Sequence, residues 1–223
     1  LIYEIIISFK NVTILNLKSQ RYPWIGLDNY KNILTDSLFY STLIRTILWT
    51  FINLFFHVSI GLFLAILLNR KLPGKAFIRV LLILPWAIPQ YIAAMTWKGM
   101  FNVQYGSVNI ILTNIFGSAA AIPWLSVPSW TFVACIITNI WLGIPFMMMI
   151  SLGGLSSIPD DVYEAADMDG ATGFQKFRSI TLPLLKPILT PAIILGTVWT
   201  FNMINVVYII TSGSASDESQ ILI

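Results

Sequence analysis

Charged residues are scarce in this sequence: Asp, Glu, Lys and Arg make up 10% of the 223 residues, whereas 57% are hydrophobic. A water-soluble domain of this length could not cover its surface with so few charges. The chain is therefore predicted to be a membrane protein. Its net charge of +3 is ordinary for that class and does not favour a nucleic-acid partner.

Cysteine and histidine each occur once, as Cys135 and His57. A single cysteine excludes an intramolecular disulfide and a cysteine-based metal cluster, so we expect Cys135 to be a small core residue and no metal to be bound. We expect His57 to be neutral and hydrogen-bonded to a neighbouring helix, because no Asp or Glu lies nearby in the apolar stretches to continue a proton relay. The sequence G-x-x-x-x-G-K-[ST] is also absent, so the chain does not carry the phosphate-binding loop of an ATPase.

Long apolar runs without Asp, Glu, Lys or Arg dominate the sequence instead. A helix of roughly 20 residues crosses a bilayer, and each run has about that length or more. We predict an all-α polytopic membrane protein with four complete spans, at Thr46–Leu68, Val80–Trp97, Ser129–Pro159 and Pro187–Ser216. We expect the apolar ends, Leu1–Phe9 and Ile221–Ile223, to belong to two truncated spans of a single transmembrane domain covering 1–223.

Two of the predicted spans carry prolines four residues apart, Pro85 with Pro89 and Pro187 with Pro191. Proline removes a backbone donor and crowds the preceding turn, so we expect both helices to be kinked. The carbonyl groups that a kink frees need protein or water partners inside a bilayer. Such helices tend to line cavities, but proline is also commoner in membrane helices generally, and the sequence leaves both explanations open.

The segment between the third and fourth spans is charged and contains glycine. Pro159 suits the first turn of a helix, and acidic residues follow it where the helix dipole favours negative charge. Gly170 stands where a left-handed residue would end that helix. Thr172 and Gln175 match a capping box, which predicts a second short helix with Lys176 and Arg178 in its last turn, ending before Pro183. The segment is therefore expected to form a helical elbow.

This segment resembles the cytoplasmic EAA loop of the membrane-spanning subunits of bacterial ABC importers, in particular sugar permeases of the maltose and glycerol-3-phosphate type. The pattern is E-A-A, three residues, Gly, nine residues and I-x-L-P. It is matched by Glu164, Ala165, Ala166, Gly170, Ile180, Leu182 and Pro183. The sequences LPWAIP in the second predicted span and LSSIP just before the motif are similar to the same family, and the resemblance extends from about Gly26 to about Gly213.

The resemblance implies the transmembrane domain of a type I ABC importer, a helical bundle in the bacterial inner membrane, with its coupling loop at 156–183 in the cytosol. It implies a transport subunit rather than an enzyme, with no cofactor of its own and with ATP and Mg²⁺ on a partner. The implied partners are a second permease subunit in a heterodimer, two ATPase subunits, an extracytoplasmic sugar-binding protein, a neutral sugar and membrane lipid. ATPase contacts are implied at Tyr163, Glu164, Ala165, Ala166, Asp169, Gly170 and Ala171.

A cytosolic coupling loop fixes the side of every other connection. Residues 10–45, 98–128 and 211–220 are then predicted outside, and 69–79 and 160–186 inside. Lys and Arg are almost evenly divided between the sides, but the short 69–79 loop is dense in cations and favours this orientation. The outer loop, 101–128, is expected to contain a short helix near Val108–Ile115, with Trp97, Trp124 and Trp130 at headgroup depth. It could bind an extracytoplasmic partner or simply cap the bundle.

The spans flanking the coupling loop contain no ionisable acid or base at membrane depth, and a charged substrate without a counter-charge would be costly there. They do contain aromatic rings beside amides and hydroxyls, groups that suit the faces and edges of a neutral sugar. By resemblance to maltose-type permeases, sugar contacts are expected at Leu142, Gly143, Phe146, Gly196, Trp199, Thr200, Asn202 and Met203. Asn202 and Asn205 could alternatively make hydrogen bonds between helices.

The sequence thus predicts a permease subunit that moves a neutral carbohydrate across the plasma membrane by alternating access, driven by a separate ATPase. An ion-coupled secondary transporter is the alternative, and it would need buried carboxylates and inverted repeats, neither of which is found. A membrane-embedded enzyme would need clustered His, Asp or Glu at membrane depth.

Overall fold

The computed structural model describes residues 2–16, 18–19, 21–70, 72–213 and 220–222, and most of these residues are helical. The chain forms two compact units, essentially Leu1–Ile44 and Arg45–Ile221. The helices are α1 (Ile2–Ser8), α2 (Asp28–Thr35), α3 (Ser37–Asn69), α4 (Lys75–Ala87), α5 (Gln90–Met100), α6 (Ser107–Phe116), α7 (Pro128–Ser156), α8 (Asp160–Met168), α9 (Gly173–Lys176), α10 (Leu182–Phe201) and α11 (Ile204–Ile210).

The first unit is held together by contacts around α1 and α2. Phe9 stacks on Trp24 with ring centroids 5.5 Å apart. The Asn29 side chain donates to the carbonyl oxygens of Ser8 at 2.8 Å and Lys10 at 3.1 Å. The amino-terminal segment therefore packs on itself rather than forming an extended tail.

Three helical stretches are long and apolar enough to cross a membrane: α3, α7 and the run Gly173–Ile210. They correspond to the first, third and fourth predicted spans. Helix α3 begins well before the predicted Thr46, because Asp36 Oδ1 accepts the Leu38 N–H at 2.9 Å and caps its first turn. At 1.5 Å per residue its 33 residues extend about 50 Å, more than the roughly 30 Å of bilayer hydrocarbon.

The second predicted span, Val80–Trp97, is not one straight helix. Helices α4 and α5 meet at a 96° bend and form either a broken span or a re-entrant loop. Pro89 lacks a backbone donor and favours an extended residue before it, and Ile88 has φ −82° and ψ 134°. The expected kink is therefore a full break. The described residues contain three spans, or four if the bent pair counts as one.

Pro187 and Pro191 lie within α10 without interrupting it, so the breaks in this span are not where the proline pair predicts them. A π-helical turn, Phe177–Thr181, precedes α10, and Asn202 and Met203 separate α10 from α11. The prediction that the second short helix ends before Pro183 was wrong, because α9 continues through the π turn into α10, which contains Pro183. The predicted end of the span, Ser216, lies outside the described residues.

Helix α7 packs against α4, α5, α10 and α11 in the second unit. One buried cluster includes Trp49, Phe101 and Cys135, which confirms the expected core position of the cysteine. A second cluster joins residues of α3, α7 and α10 near α8. Glycine permits close helix packing here, since a Cβ on Gly61 would lie 2.7 Å from Met147 Cβ.

The connection between α5 and α7 folds over one end of this unit. It contains α6, which confirms the short helix predicted near Val108–Ile115. Asn109 organises the connection: its Nδ2 donates to the Ile122 carbonyl oxygen at 2.9 Å, and its Oδ1 accepts from Ile122 N at 3.1 Å and Trp124 Nε1 at 2.9 Å. Trp124 is buried against Phe101, so it packs on protein rather than on the headgroups predicted for it. This geometry favours the interpretation of the connection as a cap on the bundle.

Candidate functional site

A cavity lies among α3, the α4–α5 bend, α7 and α10, with a volume of about 90 Å³. Most of the residues predicted to contact a sugar line it, namely Leu142, Gly143, Phe146, Gly196, Trp199, Thr200 and Met203. Asn202 is not among the lining residues. Asn202 directly follows the last residue of α10, and its side chain donates to the Val198 carbonyl oxygen at 2.8 Å. The structure therefore brings the two predicted segments together, and a role in substrate contact stays a prediction.

Other lining residues were not predicted to contact substrate. Trp86 and Gln90 flank the α4–α5 break, and the proline pair was the sequence signal for a cavity there. Asn205, expected either at the substrate or between helices, donates to Gln90 Oε1 at 3.3 Å and so joins α11 to α5. This contact agrees with the interhelical alternative for Asn205.

His57 and Asn139 also line the cavity. His57 is 5% exposed, and its Nε2 donates to the Asn139 carbonyl oxygen at 3.0 Å. This bond confirms the expectation that His57 is hydrogen-bonded to a neighbouring helix. The Asn139 side chain is buried, and its Nδ2 has no partner among the described residues. An unpaired amide donor at a cavity wall is costly unless a ligand or water accepts from it.

The cavity wall is aromatic and carries no fixed charge. The rings of Phe146 and Trp199 have centroids 5.1 Å apart and an interplanar angle of 58°. None of the lining residues is Asp, Glu, Lys or Arg. Trp49 Nε1 donates to the Thr200 carbonyl oxygen at 2.9 Å and fixes α10 against α3 beside the cavity. No group of three or more His, Cys, Asp or Glu that could hold a metal occurs in the described part of the chain.

The elbow that follows α7 forms largely as predicted. Helix α8 starts directly after Pro159 and ends at Met168, and Gly170, which follows the C-cap residue Asp169, has φ 76°. Gly170 N–H donates to the Asp167 carbonyl oxygen and Ala171 N–H to that of Ala166, at 3.0 and 2.9 Å, which is the hydrogen-bond pattern of a Schellman motif. The capping box of Thr172 and Gln175 is present at the start of α9.

Helix α8 has no buried residue. Of the residues predicted to contact an ATPase, Glu164, Ala165, Asp169 and Gly170 are exposed, whereas Tyr163, Ala166 and Ala171 are half-buried. Sequence reasoning missed two large, exposed apolar side chains within the elbow: Met168 of α8, at 89% exposure, and Phe174 of α9, at 71%. Both residues lie on a charged segment that is predicted to be outside the bilayer. Lipid would not cover these apolar side chains there, so their exposure favours contact with a protein partner.

Two side-chain contacts join α8 to residues 176–181, at the end of α9 and in the π turn. Tyr163 Oη and Thr181 Oγ1 are hydrogen-bonded at 2.9 Å. Lys176 Nζ forms an ion pair with Asp167 Oδ1 at 2.5 Å. A cavity of about 350 Å³ opens between this elbow and the end of α3, bounded by Ile66, Asn69 and Arg70 on the α3 side.

Comparison with known proteins matches residues 57–222 to the family described as binding-protein-dependent transport system inner membrane component. The chain is 40% identical over 86% of its length to the trehalose/maltose transport system permease protein MalF of Thermococcus litoralis. It is 39% identical over 85% of its length to the galactooligosaccharides transport system permease protein GanP of Bacillus subtilis. It spans 64% and 46% of these two relatives, less than two thirds of either.

The fold is also similar to a solved structure, a chain of a bacterial ABC transporter involved in the import of the acidic polysaccharide alginate. The TM-score is 0.80 at 22% identity, covering 98% of this chain and 74% of that one. At this identity the likeness concerns the fold. Because the family match covers well over half of the sequence, the chain belongs to the binding-protein-dependent transport system inner membrane components, and it is a multi-pass transport component of the inner membrane rather than an enzyme.

Proposed function

We propose that this chain is one membrane-spanning subunit of an ATP-driven importer and that its cargo is a neutral sugar or oligosaccharide. The observation that carries the proposal is the cavity between α7 and α10, which presents the aromatic rings of Trp86, Phe146 and Trp199 and polar groups without a fixed charge. The relatives named for trehalose/maltose, galactooligosaccharide and maltodextrin transport support the same class of cargo.

The chemistry of the cavity suits a neutral sugar. Aromatic faces bind the C–H faces of a sugar ring, and amide or hydroxyl groups bind its edge. Phe146 and Trp199 supply the rings, and Gln90, Asn139 and Thr200 are polar residues of the same lining. An acidic sugar would need a cation to offset desolvation of its carboxylate, and the lining contains no Lys or Arg.

The size of the cavity supports a second permease subunit. A volume of about 90 Å³ is below the roughly 300 Å³ at the lower end of ligand pockets. A sugar would therefore be held partly by this chain and partly by another. A second subunit facing α7 and α10 would complete the site and the passage through the membrane.

The elbow around α8 is the proposed contact with a separate ATPase on the cytosolic side. Ala165 lacks bulk and is exposed, so the helix can enter a groove. Met168 and Phe174 are apolar anchors of the kind that fill pockets at interfaces. ATP and Mg²⁺ would be bound by two such ATPase subunits, and an extracytoplasmic binding protein would deliver the sugar to the opposite end of the bundle. Closure of the ATPase dimer would then move α8 and switch the bundle between inward-open and outward-open states.

Purification and reconstitution test this function. The tagged chain, purified from its native membranes, should bring with it an ATPase that carries a P-loop and a second permease. In proteoliposomes with the binding protein, ATP should drive uptake of a neutral maltose-type oligosaccharide and not of a uronate oligosaccharide. Uptake driven by a proton or sodium gradient without ATP would overturn the assignment, and preferred uptake of the uronate would overturn the neutral cargo.

A further inference from the structure

The two side-chain contacts that leave α8 end on the same short stretch of chain. Tyr163 bonds to Thr181, and Asp167 pairs with Lys176. Thr181 is the last residue of the π-helical turn, and Lys176 directly precedes its first residue. Helix α8 is therefore fastened to both ends of the π turn, by residues one helical turn apart on its own surface.

The π turn leads without a break into α10. Wide turns of this kind are rare and occur frequently at functional sites. Helix α10 carries Gly196, Trp199 and Thr200 to the cavity. A continuous helical path thus connects the fastened elbow to the cavity wall.

The other contacts of α8 are apolar and do not fix its orientation as the hydrogen bond and ion pair do. The Tyr163 ring packs on the buried cluster that includes Leu155 of α7 and Leu62 of α3, but apolar contacts have no preferred direction. Towards the end of α3, the cavity of about 350 Å³ leaves room beside the elbow. In the described residues, the side-chain hydrogen bond of α8 goes to Thr181 of the π turn and its ion pair to Lys176, the last residue of α9 directly before that turn; neither goes to α3 or α7.

We propose that Tyr163 and Asp167 are positioning residues that fasten α8 to the π turn, so that a displacement imposed on α8 is transmitted to α10 and to its wall of the cavity. This inference rests on the proposed function, because it assumes that an ATPase moves α8. Exposed ion pairs contribute little to stability by themselves. The role of this pair is instead to fix orientation together with the Tyr163–Thr181 bond.

The test uses the whole transporter, reconstituted with its ATPase and binding protein. Spin labels at Asp160→Cys on α8 and Ile194→Cys on α10, in a Cys135→Ala background, report the distance between the two helices by pulsed electron paramagnetic resonance. Sugar uptake per ATP hydrolysed is measured on the unlabelled proteins. The test variant is Tyr163→Phe with Asp167→Asn, and the matched control is Asp161→Asn, which removes an exposed carboxylate from the same helix.

Because Tyr163→Phe keeps the half-buried ring and Asp167 is not among the implied ATPase contacts, the test variant should still co-purify with the ATPase and hydrolyse ATP. Its distance distribution should broaden, and its uptake per ATP should fall about three- to ten-fold, the size of a typical coupling change, while the control stays unchanged. Exchange of the charges, Asp167→Lys with Lys176→Asp, should restore uptake relative to Asp167→Lys alone. An unchanged distribution, unchanged uptake per ATP, loss of the ATPase from the test variant or no rescue by the exchanged pair overturns the inference. Failure of the wild-type complex to couple uptake to ATP overturns the proposed function instead.

Discussion

The imidazole ring of His57 occupies the space that a side chain on Gly143 would fill. A Cβ built on Gly143 would overlap the ring atoms Cε1, Nε2 and Cδ2 of His57. His57 is held there by its hydrogen bond to the Asn139 carbonyl oxygen, one turn before Gly143 on α7. The absence of a side chain at Gly143 therefore sets how closely α3 approaches α7 at the cavity.

Gly143→Ala is expected to destabilise the protein. The added methyl group forces the buried His57 ring or the α7 backbone to move, and overpacking of this kind costs about 1–3 kcal/mol. Alanine gains up to about 1 kcal/mol in helix propensity over glycine, which offsets only part of that cost. Thermal unfolding of the purified protein measures the net effect.

Gly153→Ala is the matched control for this prediction. Gly153 lies on the same helix, and a Cβ there meets nothing within 4 Å. It gains the same helix propensity without the clash, so it should be neutral or stabilising. Adding His57→Ala to Gly143→Ala should recover part of the lost stability. Equal melting temperatures for the two alanine variants would contradict the proposed steric role of Gly143.

The sequence predicts the cavity walls on α7 and α10 well. The segments that resemble maltose-type permeases lie on continuous helices, so the helical spacing places their residues on one face. The sequence does not predict how α3 and the α4–α5 bend complete the cavity. His57 and Trp86 are distant from α10 in sequence and reach the cavity through packing between helices. A single apolar sequence carries no pattern for which faces of its spans meet.

The two proline pairs show a second limit. Both have the same four-residue spacing, yet the chain breaks at Pro89 and continues helically through Pro187 and Pro191. At the first pair, the extended Ile88 lets α5 turn away by 96°. At the second, α10 retains its helical path and the irregular turns lie at its two ends. Tertiary packing decides between these outcomes, and the local sequence is compatible with both.

Trp199→Ala should weaken sugar binding by the reconstituted transporter. The ring of Trp199 packs on Phe146 and forms part of the cavity wall. Loss of one aromatic platform removes about 1–2 kcal/mol of contact, so the KM for sugar uptake should rise about ten-fold. The ATPase should remain bound and active.

Phe51→Ala is the control for Trp199→Ala. Phe51 is an exposed aromatic residue of α3 that does not line the cavity. Its removal should leave the KM for sugar unchanged. An unchanged KM in Trp199→Ala, or an equal rise in both variants, would contradict a substrate-binding role for the Trp199 ring.

Gly170→Val should disturb the elbow through its backbone. Gly170 has φ 76°, and a β-branched residue is strained in this left-handed region by about 1–2 kcal/mol. No atom lies within 4 Å of a Cβ at this position, so a clash within the chain does not contribute. Uptake per ATP should fall in Gly170→Val and be largely retained in Gly170→Asn, because asparagine tolerates the same conformation. Equal losses in the two variants would show that side-chain bulk, rather than backbone conformation, is what the elbow excludes.

Asn109→Ala should loosen the cap that covers the end of the bundle. The Asn109 amide accepts from the Ile122 N–H and the Trp124 indole N–H and donates to the Ile122 carbonyl oxygen. Its loss leaves the half-buried Ile122 N–H and the buried Trp124 indole N–H without these partners, whereas the Ile122 carbonyl oxygen still accepts from Trp124 N–H. Each unsatisfied group costs about 1–3 kcal/mol, so the melting temperature should fall and proteases should cleave residues 117–127 faster. Asn114→Ala removes an exposed amide from the same helix and should change neither quantity. If both variants behave like the wild type, Trp124 and Phe101 hold the cap by apolar packing alone, and the Asn109 hydrogen bonds do not determine its position.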